Sequence, residues 1–220
     1  MDQTVALTGK RLRTPRAAAI AGLLFSGLLI AMMLLLLSSV PRDALDQGEW
    51  LTAKLDRVVL AINLMPFAGV AFLWFIGVVR DRLADAEDRL FATVFLGSGL
   101  LFLAMMFVAA AVFAAIVAVH VARPGSLVNS PAFALARAFA FSIVNVYAIK
   151  MAGVFMLITS TLAVRTAFVA RWMAAPGFVA GLFLLLGSQW ADWSFIVFPA
   201  WALLVSVYIL FANFAPRRDR

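Results

Sequence analysis

Residues 90–121 read LFATVFLGSGLLFLAMMFVAAAVFAAIVAVHV, with no Asp, Glu, Lys or Arg among them. An α-helix crosses the hydrocarbon core of a bilayer with about 20 predominantly apolar residues. This stretch exceeds that length, so it should cross a membrane and either tilt or protrude. Five more segments read in the same way: 17–40, 57–79, 132–164, 176–190 and 193–214. The fifth in chain order, 176–190, is short, and only Ala191 and Asp192 separate it from the sixth, so the two form a tight helical hairpin. The expected fold class is therefore all-α, a polytopic transmembrane bundle of about six helices. Residues 1–16 form a basic segment, 17–214 a single membrane domain, and 215–220 a basic tail.

Composition points the same way. The 220 residues are 65% hydrophobic and 13% charged, with a mean hydropathy of +1.03. A soluble domain is roughly half apolar and about a quarter charged, so this chain lacks the polar surface to cover a water-soluble globule. Lys10, Arg11, Arg13 and Arg16 before the first segment resemble the start of a signal peptide. The apolar run that follows is too long for one, so it reads as a retained helix.

Positive charge sets orientation, because cytoplasmic connections are enriched in Lys and Arg. With the N-terminus inside, 12 of the 18 Lys and Arg residues face the cytoplasm. Arg42, Lys54, Arg57, Arg123 and Arg137 face outward, and Lys150 lies within a span. Both termini are therefore expected in the cytoplasm. The net charge of +7 is read as pairing with anionic lipid headgroups, and no nucleic-acid-binding motif is present. Trp50, Trp172, Trp190 and Trp193 fall near span ends, where tryptophan anchors at headgroup level. Residues 43–56 read either as a short helix on the outer surface or as a solvated loop. Pro66 and Pro199 fall inside spans and are expected to kink them.

Lys150 is the costly residue. It lies midway along the fourth span, where a lysine costs about 3 kcal/mol on insertion scales. At 100° per residue, Ser142, Lys150, Ser160 and Thr161 share one helix face, with Tyr147 beside it and Asn145 pointing away. All eleven Asp and Glu lie outside the span cores. Lys150 must then find a neutral partner (Asn63, the Ile62 carbonyl, Ser98 or Gln189), an anion or lipid headgroup, or a carboxylate from another protein. Lys150, Tyr147, Ser142 and Asn63 are the candidate ligand- or partner-binding residues.

Catalysis is not expected. There is no cysteine, so thiolate chemistry, disulfides and thiolate metal sites are excluded. A single histidine, His120, makes a histidine metal site implausible and reads as an outer-interface residue. Ser98 and His120 lie 22 positions apart on one helix, about 33 Å at 1.5 Å per residue. No cofactor is implied. Gly177 with Gly181, and Gly22 with Ser26, have the small-xxx-small spacing that lets membrane helices approach closely. They read as packing faces within the chain rather than as homodimer seams.

Residues 64–77 (LMPFAGVAFLWFIG), continuing through Arg80-Asp81-Arg82-Leu83 to 91–99 (FATVFLGSG), resemble a segment of uncharacterised bacterial multi-pass membrane proteins. The resemblance spans the second helix, the turn and the start of the third. It implies a bacterial inner-membrane protein and carries no activity with it. The expected function is binding or transport of a small solute, anion or lipid. The alternative is a non-catalytic accessory subunit or homo-oligomer in which Lys150 meets a partner protein.

Overall fold

A computed structural model of the chain describes residues 15–41, 43, 46, 48–83, 89–166, 171–191 and 193–212. The basic N-terminal segment before Pro15, Asp192 and the C-terminal tail fall outside the described residues. The helices are α1 (Pro15–Ser39), α2 (Trp50–Ala53), α3 (Leu55–Leu83), α4 (Arg89–Ala122), α5 (Pro131–Ser142), α6 (Ile149–Thr166), α7 (Arg171–Leu186) and α8 (Val197–Ala212). A π-helical segment, Ile143–Ala148, joins α5 to α6, and two 3-10 turns, Ser188–Trp190 and Ser194–Ile196, join α7 to α8. There is no strand among the described residues, and the fold is an all-α bundle.

Five stretches among the described residues are long and apolar enough to cross a membrane: Ala19–Ser39, Leu55–Arg80, Leu90–Ala122, Pro131–Arg165 and Ser194–Phe211. The fifth expected span, 176–190, differs. The 16 residues of α7 rise about 24 Å, short of the ~30 Å hydrocarbon core. The α7–α8 hairpin is thus the short side of the bundle.

Helix ends follow local chemistry. At the start of α5, Ser130 Oγ accepts from Phe133 N at 3.2 Å, and Pro131 occupies the first turn, where its missing N–H costs nothing. At the end of α1, Lys54 Nζ donates to Ser38 O at 2.6 Å, placing a cation on carbonyls that have no helical donor. Pro66 lies inside α3, which runs through it unbroken. Pro199 does not interrupt a helix as expected. It is the third residue of α8, in the first turn, where the backbone needs no intrahelical donor.

α1 packs between α3 and α8, α4 between α3 and α6, and α7 against α6, closing a ring. Phenyl rings fill its middle. Phe72 is surrounded by Phe25 at 4.4 Å, Phe155 at 5.4 Å, Phe102 at 5.6 Å, Phe198 at 5.8 Å and Phe75 at 6.4 Å between centroids. The small residues lie where helices cross within the chain. Gly22 faces Ser206 and Phe75, and Gly177 faces Ser160 and Trp201. Gly153 and Gly181 let α6 and α7 meet backbone to backbone. A Cβ on Gly153 would lie 2.8 Å from the Gly181 carbonyl oxygen, and a Cβ on Gly181 would lie 2.9 Å from that of Gly153. Neither carbonyl can yield as a flexible side chain would. Gly181→Ala is therefore expected to destabilise the fold by about 1–3 kcal/mol, read as an earlier midpoint in a denaturing-detergent titration.

In the 43–56 region Asp43, Glu49, Thr52, Ala53, Lys54 and Asp56 are exposed, and a short helix is present as one of the two sequence readings held, but two of its side chains point into the protein. These are Trp50 and Leu51, buried against Val58, Ile116 and Phe133 in a second small core. Gly48 makes this possible: its φ is +87° and a Cβ there would lie 2.8 Å from the Phe133 ring, so both backbone and space require glycine. Trp50 is thus a core residue, whereas Trp172, Trp190 and Trp193 are exposed. His120, in the last turn of α4, is buried.

Candidate functional site

The most elaborate polar arrangement among the described residues centres on Arg137, two turns into α5. Its guanidinium is 5% exposed, too buried to go unpaired. Nη1 donates to Asp46 Oδ2 at 3.1 Å, and Nη2 donates to Pro41 O and Asp43 O, each at 2.8 Å. The guanidinium carbon lies 5.9 Å from the centre of the Trp50 ring. Arg137 thus ties the connection following α1 to the start of α5. Three of its five N–H groups serve this purpose, and the other two have no partner among the described residues.

Arg137 also lines a cavity of about 410 Å³. The walls come from α1 (Met33, Leu36), α4 (Met106, Phe113) and the π segment (Val144, Asn145). The short α7–α8 hairpin supplies the floor through Ser188, Ser194 and Phe195. Because that hairpin stops early, its connection crosses partway along the bundle and leaves the space above it unfilled. Below lies a void of only about 10 Å³ bordered by Leu29, Phe102 and Phe198, room for about one water. Phe102 and Phe198 pack edge to face at 4.8 Å and close the cavity toward the end that carries the chain termini.

The π segment upsets the expected polar stripe. Its wider turn, with Ile149 N donating to Val144 O, breaks the uniform 100° advance. Asn145, expected to point away from Lys150, lines the cavity that Lys150 does not, and its Nδ2 donates to Phe141 O at 3.0 Å. Ser142 is half-buried and Tyr147 is exposed. Asn63 is exposed on α3, whose principal neighbours are α1 and α4. Thr161 bonds to Leu157 O of its own helix, and Ser160 is buried at the Gly177 crossing.

Lys150 is half-buried and finds its partner in the backbone. Nζ donates to Leu185 O at 2.8 Å, in the last turn of α7, where carbonyls lack helical donors. Lys150, Tyr147, Ser142 and Asn63 are therefore not gathered into one site, and none of the four lines the cavity. Lys150→Met is expected to shift stability by no more than about 1–2 kcal/mol and to leave occupancy of the Arg137 cavity unchanged, as judged by native mass spectrometry.

Sequence reasoning counted Arg137 only as an outward-facing charge. The available signal was local: Asp43, Asp46, Glu49 and Asp56 crowd one connection, and Arg137 is the cation that lies inside a neighbouring helix. Ser98 donates to Phe95 O of its own helix at 3.2 Å, and α4 is continuous between it and His120. Among the described residues no cluster of three or more His, Asp or Glu side chains could hold a metal ion. The chain matches no protein family, no curated protein and no solved structure.

Proposed function

We propose that this chain is a bacterial inner-membrane protein, with both termini in the cytoplasm, that binds a small and largely apolar molecule in the Arg137 cavity. The observation that carries the reading is the pairing of one buried arginine with a mostly apolar space of about 410 Å³, in which Asn145, Ser188 and Ser194 are the other polar side chains. That volume falls in the range of small-molecule sites, about 300–1,000 Å³. The charge of Arg137 is offset by Asp46 at 3.1 Å, which disfavours a bare anion and favours a lipid-like molecule among the expected solute, anion and lipid. The 12-to-5 excess of Lys and Arg toward the terminal end, with Lys150 within a span, supports the orientation. The resemblance of residues 64–99 to bacterial multi-pass proteins supports the location. With Leu185 O as its partner, Lys150 has no need of a carboxylate from a partner subunit, so the accessory-subunit reading loses its main support.

Ala109 lines the cavity and is buried, so Ala109→Trp places an indole where the molecule would sit. Native mass spectrometry from nanodiscs is expected to show a bound small molecule on the wild-type chain and to lose it in the variant. Equal occupancy in a folded Ala109→Trp protein would remove the cavity as the binding site.

A further inference from the structure

We propose that the occupant is one acyl chain of a membrane phospholipid, entering sideways from the bilayer, with its phosphate ester held by Arg137. The inference rests on the small-molecule reading above and adds the ligand class and the route. Three observations carry it.

The first is the placement of charge in the lining. Arg137 is its one charged residue and lies six residues after Pro131, about 9 Å along the helix, near the end of the bundle that holds Trp50. Met33, seven residues before Val40 and so about 10 Å in, and Met106 line the same space with other mostly apolar side chains. One charged group beside mostly apolar walls suits a phosphate ester joined to an acyl chain.

The second is the opening. Leu37 of α1, Phe141 of α5 and Val146 of the π segment line the cavity and are also exposed. The cavity therefore opens between the end of α1 and the π segment, above the early-ending α7–α8 hairpin. All three residues are apolar and lie within stretches able to span a membrane, so the opening faces acyl chains. At about 30 Å³ per water-sized group, the cavity holds roughly a dozen methylenes.

The third is the state of the arginine. Asp46 offsets its charge, and two N–H groups are left for acceptor oxygens. Such a group recognises a phosphate ester by hydrogen bonding rather than by net charge. Lipids with different headgroup charge should then bind alike.

The test uses the full chain in phosphatidylcholine nanodiscs. Phosphatidylcholine or phosphatidylglycerol carrying a diazirine on one acyl chain is added, and crosslinks are mapped by mass spectrometry. Both lipids are expected to label Met33 and Met106 to within about twofold, and 10 mM inorganic phosphate should not compete. Val146→Trp, at the exposed rim, is expected to lower that labelling about tenfold while leaving the thermal midpoint unchanged. Labelling confined to exposed positions such as Leu34 would overturn the inference, as would labelling by phosphatidylglycerol alone or competition by phosphate. If a soluble diazirine-bearing short-chain alcohol labels Met33 and Met106 when the lipids do not, the lipid assignment fails and the small-molecule reading stands. If neither labels them, both fail.

Discussion

Replacing Arg137 with Met should be among the most damaging single changes in this protein, on the order of 3–5 kcal/mol. The variant leaves the Asp46 carboxylate, 15% exposed, without its cation and strips the Pro41 and Asp43 carbonyls of their donors. Removing one partner of a buried pair costs far more than the pair itself contributes, because the remaining charge stays desolvated. The effect should be read as the midpoint of unfolding in detergent. Arg137→Met with Asp46→Leu should recover part of the loss, since the stranded charge is gone while the two carbonyls stay unpaired. A double variant as unstable as the single one would show that the carbonyl contacts, rather than the ion pair, hold the segment.

Phe72→Ala should cost on the order of 3 kcal/mol for a different reason. Phe72 is fully buried with five phenyl neighbours. In a membrane protein the removed ring gains little from transfer, because lipid is as apolar as the core. What is lost is packing. A void on the order of 100 Å³ at about 24 cal/mol per Å³ accounts for most of the figure, and the offset and edge-to-face contacts add to it. Phe72→Leu, which keeps much of the volume, should cost less than half as much. Equal losses for Leu and Ala would mean that ring geometry, and not filled space, stabilises the centre. The same substitution thins the plug below the cavity, so Phe72→Ala should also enlarge the void beside Phe102 and Phe198.

Much of the bundle could be read before any coordinates. An uncharged run such as 90–121 admits one solution in lipid, because every backbone polar group must bond within its own helix. The crossings at Gly22, Gly177 and Gly181 were legible for a related reason: close approach in lipid requires the absence of a side chain. The site was far less legible. Lys150 drew attention by its depth, but its partner is a carbonyl on α7, 35 residues away, and carbonyls are equally present at every position. Arg137 looked like one more outward-facing charge, because nothing in the sequence reports that Trp50 and Leu51 turn inward and draw Asp46 over the start of α5. That Asn145, on a face other than that of Lys150, borders a cavity was not legible, because its position alone does not report where space is left empty.

Residue type and run length alone determined that the fold is an all-α bundle and located five of the six expected spans. These are one-dimensional properties, fixed by the cost of placing backbone and charge in hydrocarbon. The tertiary structure decided what the polar groups meet and where space is left empty. Those outcomes depend on relative helix lengths and rotations, which no residue encodes by itself. α7 ends before its neighbours do, and the cavity exists because nothing packs above it.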